Sequence, residues 1–89
     1  MNYFVYLIKT KPGYYKKSYV GYTNNLKKRL VIHNRSLGAK STKGYKWSLV
    51  FKKKFSSKSK AMSYEYYLKK NYYLRKKILQ KKNKLTFLK

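Results

Sequence analysis

The chain has 89 residues, and 25 Lys and Arg stand against a single acidic residue, a formal net charge of +24; that length allows one small domain, and that charge points to a polyanionic partner, most commonly nucleic acid. Apolar residues make up 43% and aromatics 19%, enough to drive folding, which excludes a disordered basic tail. With no Cys, no Asp, one Glu (Glu65) and one His (His33), the chain cannot build a disulfide framework, a thiolate zinc site, a two-carboxylate glycosidase or a two-metal site held by several of its own carboxylates.

Tyr3-Phe4-Val5-Tyr6-Leu7-Ile8 is short, apolar, and rich in aromatic and β-branched residues, which predicts a buried strand. A turn follows around Pro12-Gly13. Ser18-Tyr19-Val20-Gly21-Tyr22 then predicts a second strand, antiparallel to the first. Period-two alternation places Phe4, Tyr6 and Ile8 on one face and groups Tyr19 with Gly21. Thr23, Asn24 and Asn25 are N-cap candidates for a helix over Leu26–Asn34. In it Leu26 and Leu30 face the core, and Arg29 and His33 share another face. Arg35 to Lys46 is a basic loop containing Gly38 and Gly44, and Trp47 to Phe55 predicts a third strand. Lys60 to about Lys82 is helical, with a candidate break near Asn71. Ala61, Met62, Glu65, Leu68 and Tyr72 form its stripe. Residues 81–89 are a basic tail. The order β-β-α-β-α-α predicts an α+β domain with a small three-stranded sheet. No apolar run approaches the roughly 18 residues of a membrane span, and Tyr3–Ile8 is too short and lacks the basic leader of a signal peptide, so a cytoplasmic location and no membrane partner are expected.

Chemistry must therefore run on one carboxylate, one imidazole, tyrosines, Lys or Arg, and a metal if one is bound. Glu65 is either a metal ligand or general base, or the partner of Lys69 in an i,i+4 ion pair worth roughly 0.3–0.5 kcal/mol. Arg29 offers a planar fork suited to phosphate oxygens, while His33 is either functional or structural. Tyr6 and Tyr19 are either cross-strand packing or a phenol pair beside a scissile phosphate. In the second case a dense positive field and a nearby metal hydroxide favour the ionised phenol. Gly21 either lets another backbone approach closely or marks a bulge. The lysine runs, Lys69-Lys70 among them, read as solvated phosphate contacts.

Taken together and in order, these residues resemble the GIY-YIG nuclease domain, in particular its small stand-alone members and the N-terminal domain of the excinuclease of DNA repair. Phe4-Val5-Tyr6 stands where that family's first strand motif is expected, and Tyr19-Val20-Gly21 where the second is. Leu26-Lys27-Lys28-Arg29-Leu30 with His33-Asn34 resembles the helix bearing the family's Arg and His. Gly38-Ala39-Lys40-Ser41-Thr42-Lys43-Gly44 resembles its glycine-bounded basic loop. Ser59-Lys60-Ala61 leading to Glu65 and Lys69-Lys70 resembles the helix bearing the metal-binding Glu. The match spans roughly residues 3 to 80 and places the only Glu and the only His on functional positions. It departs from the pattern at Phe4, where the first motif has Gly, in a slightly longer hairpin, and at Lys77, where some nucleases carry Asn.

The resemblance implies one domain over residues 1–80, with a three-stranded antiparallel sheet flanked by helices. It implies a catalytic set of Tyr6, Tyr19, Arg29, His33 and Glu65. Glu65 would hold one divalent cation, Mg²⁺ or Mn²⁺, with help from the scissile phosphate. Tyr6 would take a proton from the attacking water or orient it, Tyr19 and His33 would hydrogen-bond around the nucleophile, and Arg29 would stabilise charge on the phosphoryl oxygens. Gly21, Lys40, Lys43, Lys69 and Lys70 would contact nucleic acid. The expected activity is phosphodiester hydrolysis in DNA, structure-selective or weakly sequence-specific, by a monomer with one active site. A basic nucleic-acid-binding module with weak or no catalysis on the same fold is the alternative.

Overall fold

The computed structural model describes residues 2–88, with side chains described over residues 2–80. The elements are β1 (Tyr3–Thr10), β2 (Ser18–Thr23), α1 (Leu26–Asn34), a one-turn 3₁₀ helix (Lys40–Thr42), β3 (Trp47–Phe55), α2 (Lys58–Lys70) and α3 (Tyr72–Leu88). The sheet order is β2-β1-β3, and β1 is antiparallel to both neighbours. The fold is α+β, in the order β-β-α-β-α-α.

Central position explains the sequence of β1. A strand covered on both faces needs apolar residues at every position, so its run is continuous rather than alternating. Val5 and Leu7 join Val20, Ala61 and Leu68 on the face that carries α2 and α3. Tyr6 and Ile8 join Trp47 on the opposite face, against Tyr19, Leu26, Leu30 and Leu49. Each such side chain taken fully out of water stabilises the fold by roughly 1.5–3 kcal/mol. The β1–β3 register shifts between Leu7 and Ile8, which pair with Phe51 and Leu49, so Val50 is the extra residue of a bulge. The bulge lets Val50 and Phe51 both pack on the α2 side while Leu49 faces the other way.

Strand β1 runs two residues beyond its predicted end. Thr10 is buried, donates its hydroxyl to the Tyr15 carbonyl at 2.9 Å and accepts from the Lys17 amide at 3.1 Å, tying the hairpin at its base. At the other end of the hairpin Asn25, alone of the three cap candidates, caps α1 by accepting from the Lys28 amide at 3.1 Å. Two residues past the end of the helix, Ser36, with a φ of 60°, turns the chain left-handed. The Ser36 amide then donates to the His33 carbonyl and the Leu37 amide to that of Ile32, both at 3.0 Å. Asn34 latches this helix end to β3: its Oδ1 accepts from the Trp47 amide at 2.6 Å, and its Nδ2 donates to the Trp47 carbonyl at 3.3 Å.

The C-terminal helical stretch breaks at Asn71, as the sequence suggested, into two helices. Ser57 caps α2 by accepting from the Lys60 amide at 3.1 Å. Asn71 ends α2 and caps α3, its Oδ1 accepting from the Leu74 amide at 3.0 Å. Arg75 donates to the carbonyls of Leu68, at 2.9 Å, and Lys69, satisfying acceptors that the end of α2 leaves open. Tyr72 is exposed, and so is Met62; the core stripe of α2 is Ala61 and Leu68 with Tyr64, which packs on Phe55. No helix among the described residues is long and apolar enough to cross a membrane.

Candidate active site

The site is assembled on the α1 face of the sheet. Tyr6 pairs with Gly21 across β1 and β2, and Ile8 pairs with Tyr19, so Tyr6 and Tyr19 are diagonal neighbours with ring centroids 6.4 Å apart. Gly21 is buried, and a Cβ there would lie 2.6 Å from the Tyr6 ring carbon that bears the hydroxyl. The close approach that this glycine permits is therefore of the Tyr6 phenol, not of another backbone. No surface for nucleic acid is exposed at this position.

Four residues from three elements meet here. From α1, one turn apart, His33 and Arg29 both reach the Tyr6 hydroxyl. His33 Nε2 lies 2.8 Å from the phenol oxygen, and the Arg29 guanidinium stands close enough to the phenols of Tyr6 and Tyr19 to interact with both. The His33 ring also stands 5.2 Å from that of Tyr19, centroid to centroid. Tyr6 and His33 are buried, whereas Tyr19 and Arg29 retain partial exposure. An open depression of about 450 Å³ lined by Tyr3, Tyr22, Thr23, Asn24, Arg29 and Lys58 brings solvent to Arg29. A larger groove of about 730 Å³ lies at the hairpin end of the sheet and holds none of the four residues; Lys9, Lys11, Lys16, Lys17, Arg75 and Lys76 give it a strongly cationic lining.

Burial sets the protonation states. It pushes the Tyr6 phenol up to about 12, despite the opposing effect of Arg29. It pushes the His33 imidazole down to about 4, and the positive charge of Arg29 adds to that fall. The expectation that a positive field would favour phenolate at Tyr6 is reversed: desolvation outweighs the field. At neutral pH the phenol keeps its proton and the imidazole is neutral. Arg29 is pushed above its ordinary value, chiefly by its bond to Tyr6.

The remaining residues singled out by sequence lie further off. Glu65 is on α2, its side chain 18% exposed and 3.8 Å from Lys69 Nζ in the i,i+4 ion pair. Its charge makes a small contribution at Tyr6. Lys70 covers the ring of Tyr66, with Nζ 5.2 Å from its centroid. Lys40 and Lys43 are exposed on the loop after α1. Sequence reasoning missed Thr42 and the role of Gly38, both in that loop. Thr42 is buried with its hydroxyl oxygen 3.0 Å from His33 Nδ1, and a Cβ on Gly38 would lie 2.6 Å from the same nitrogen. No periodicity links a helix residue to a loop nine positions on. The only available signal was a small glycine-bounded loop following the single His.

The chain matches the model of the GIY-YIG catalytic domain over residues 2–85. It belongs to the GIY-YIG family. Similar proteins include the UPF0213 protein YazA of Bacillus subtilis, 46% identical over 78% of this chain and 68% of that protein. The UPF0213 protein CPE1444 of Clostridium perfringens is 46% identical over 79% of this chain and 72% of its own length. A solution structure of the UPF0213 protein BH0048 from Bacillus halodurans is 34% identical, with a TM-score of 0.49 over 91% of this chain and 84% of that one. The GIY-YIG family is a nuclease family that acts on nucleic acid and generally uses a divalent metal.

The donor set can be tested against such a metal. Among the described residues no three His, Cys, Asp or Glu cluster. Glu65 alone offers a carboxylate, and at 3.8 Å its ion pair is loose enough to yield. Mg²⁺ keeps most of its water and binds through one or two carboxylates together with substrate phosphate. A single, partly exposed carboxylate fits that mode and does not fit a dedicated all-protein cage.

Proposed function

We propose that this chain is a metal-assisted endonuclease that hydrolyses phosphodiester bonds in DNA, choosing its substrate by structure or by weak sequence preference. The observation that carries the reading is the buried Tyr6 phenol, held between a neutral imidazole that can accept its proton and a guanidinium that can bind phosphate. Mg²⁺ or Mn²⁺, when bound at Glu65, would supply neutralising charge for the phosphate and the departing oxygen.

Tyr6 takes a proton from the attacking water while passing its own to His33 Nε2. The two transfers run together. A free phenolate–imidazolium pair between groups at about 12 and about 4 would cost on the order of 10 kcal/mol. Arg29 couples substrate arrival to this step. Its charge depresses His33 in the free protein. Once paired with the scissile phosphate it no longer does so, and His33 becomes a better base. Arg29 then stabilises the charge that builds on the phosphoryl oxygens. The water oxygen bonds to phosphorus, the bond from phosphorus to the 3′ oxygen breaks, and that oxygen takes a proton from solvent. The products are a 5′-phosphate and a 3′-hydroxyl. Lys40, Lys43, Lys69 and Lys70 contact backbone phosphates without reading sequence. If binding neutralises 6–10 phosphates, affinity falls roughly 10³–10⁵-fold between 50 and 200 mM salt.

The test is nicking of supercoiled and branched DNA with Mg²⁺, Mn²⁺ or EDTA, wild type against Glu65→Ala. Metal-dependent cutting that disappears in Glu65→Ala while binding persists is the expected result. Tight binding with no cutting of any DNA form in either metal would replace the nuclease by a basic nucleic-acid-binding module.

A further inference from the structure

The hydroxyl of Thr42 is buried in the one-turn helix after α1, and its place in the hydrogen-bond chain sets the direction of every proton in the site. Thr42 Oγ1 lies 2.8 Å from the Ala39 carbonyl, which can only accept, so the Thr42 hydrogen points there. The same oxygen lies 3.0 Å from His33 Nδ1. Having spent its hydrogen on Ala39, it can only accept from His33, and Nδ1 must carry the imidazole proton. Nε2 is then a bare lone pair, 2.8 Å from the Tyr6 oxygen.

The other end of the chain demands the same polarity. Tyr6 is buried, and Arg29, its second partner, donates only. The acceptor at hydrogen-bond distance from the phenol is His33 Nε2. With the opposite tautomer Nε2 would be a donor to Tyr6, and the buried phenol hydrogen would lose the acceptor that lies 2.8 Å away. As it stands, every buried side-chain polar atom among the described residues has a partner. The loop is built around this contact. Trp47 Nε1 donates to the Thr42 carbonyl at 3.0 Å, and Gly38 packs so closely on the Nδ1 edge that no side chain fits.

We propose that Thr42 is a positioning residue: tied to the Ala39 carbonyl, its hydroxyl fixes His33 as the Nδ1–H tautomer, so that Nε2 faces Tyr6 ready to take its proton. This rests on the nuclease reading for its consequence but not for its geometry. The proton leaving Tyr6 goes to Nε2, and the imidazolium then carries both N–H groups, one still bonded to Thr42. Without the hydroxyl nothing holds the proton on Nδ1, and the imidazole reverts towards the Nε2–H form that free histidine prefers. That form presents a donor to Tyr6 where an acceptor is needed.

The chain has one His, so ¹⁵N-histidine labelling of the full-length protein gives an unambiguous signal. The experiment records the imidazole nitrogen shifts at neutral pH and the nicking rate for wild type, Thr42→Val and Thr42→Ser. Wild type is expected to show a protonated Nδ1 and a bare Nε2. Thr42→Val should move proton density to Nε2 and cut at least tenfold more slowly, and Thr42→Ser should restore both readouts to within about threefold. A wild-type ring protonated at Nε2 overturns the proposal, as does a folded Thr42→Val that keeps the wild-type tautomer. If neither Thr42 variant folds, the wild-type spectrum alone decides. If no DNA is cut, the nuclease reading fails while the tautomer measurement still tests the lock.

Discussion

The two faces of β1 are built by neighbouring residues to opposite ends. On the α2 face Val5 and Leu7 meet Val20, Ala61 and Leu68 in a cluster of apolar side chains. On the α1 face Tyr6 is as deeply buried, yet it is surrounded by donors and acceptors: His33, Arg29 and, through His33, Thr42. The first face gains from removing apolar surface from water without regard to direction. The second takes polar groups out of water and is stable only because each has a partner at hydrogen-bond distance. A strand covered on both sides can therefore carry an apolar core and a hydrogen-bonded cluster at a one-residue alternation.

The sharpest way to break that division is Tyr6→Phe, which keeps the ring and removes the proton. Cleavage should fall about 10²–10⁴-fold while the protein stays folded, read by initial nicking rate beside a denaturation curve; a mutant that cuts normally would end the role of the polar face in catalysis. Next is Leu68→Ala on the apolar face. Unfolding free energy should drop by about 2–5 kcal/mol, measured by urea titration, with the nicking rate of the remaining folded protein unchanged. Acid titration tests the polar face without mutation. His33 sits at about 4 in the fold against an ordinary 6.5, so the unfolded chain takes up the proton first. Stability is full above about pH 6.5 and declines as pH falls towards 4, by up to about 3 kcal/mol. A chain with one His and one acidic side chain makes this readable by urea midpoints at several pH values. A flat profile would mean that His33 is not held neutral. The smallest effect is Lys69→Met, which removes the partner of Glu65. At the exposed end of α2 it should change stability by no more than about 0.5 kcal/mol.

Much of the fold was legible because its signals are local. The bounds of α1 and β3 follow from caps and from a switch in hydrophobic period, and Asn71 announced the break between α2 and α3. The misread residues were those whose exposure is decided at a distance. Tyr72 fits the stripe of one continuous helix, but the chain breaks at Asn71 before it, while Met62 sits beside Ala61 on α2, off the buried line that runs through Ala61 and Leu68. The protonation of Tyr6 could not be read from composition either. A net charge of +24 favours phenolate, and only burial at mid-sheet shows that desolvation prevails.

What the sequence by itself determined is the inventory and the local order: one Glu, one His, a cationic surface, three strands, a capped helix carrying Arg29 and His33 one turn apart, and membership of a recognisable family. Those properties depend on residue type and short spacing. What only the tertiary structure decided is direction: which way the Tyr6 proton points, which imidazole nitrogen is bare, and that a threonine in a basic loop sets both. Direction depends on which donors and acceptors are left to one another after burial. That is settled by β1, α1 and the loop meeting in space.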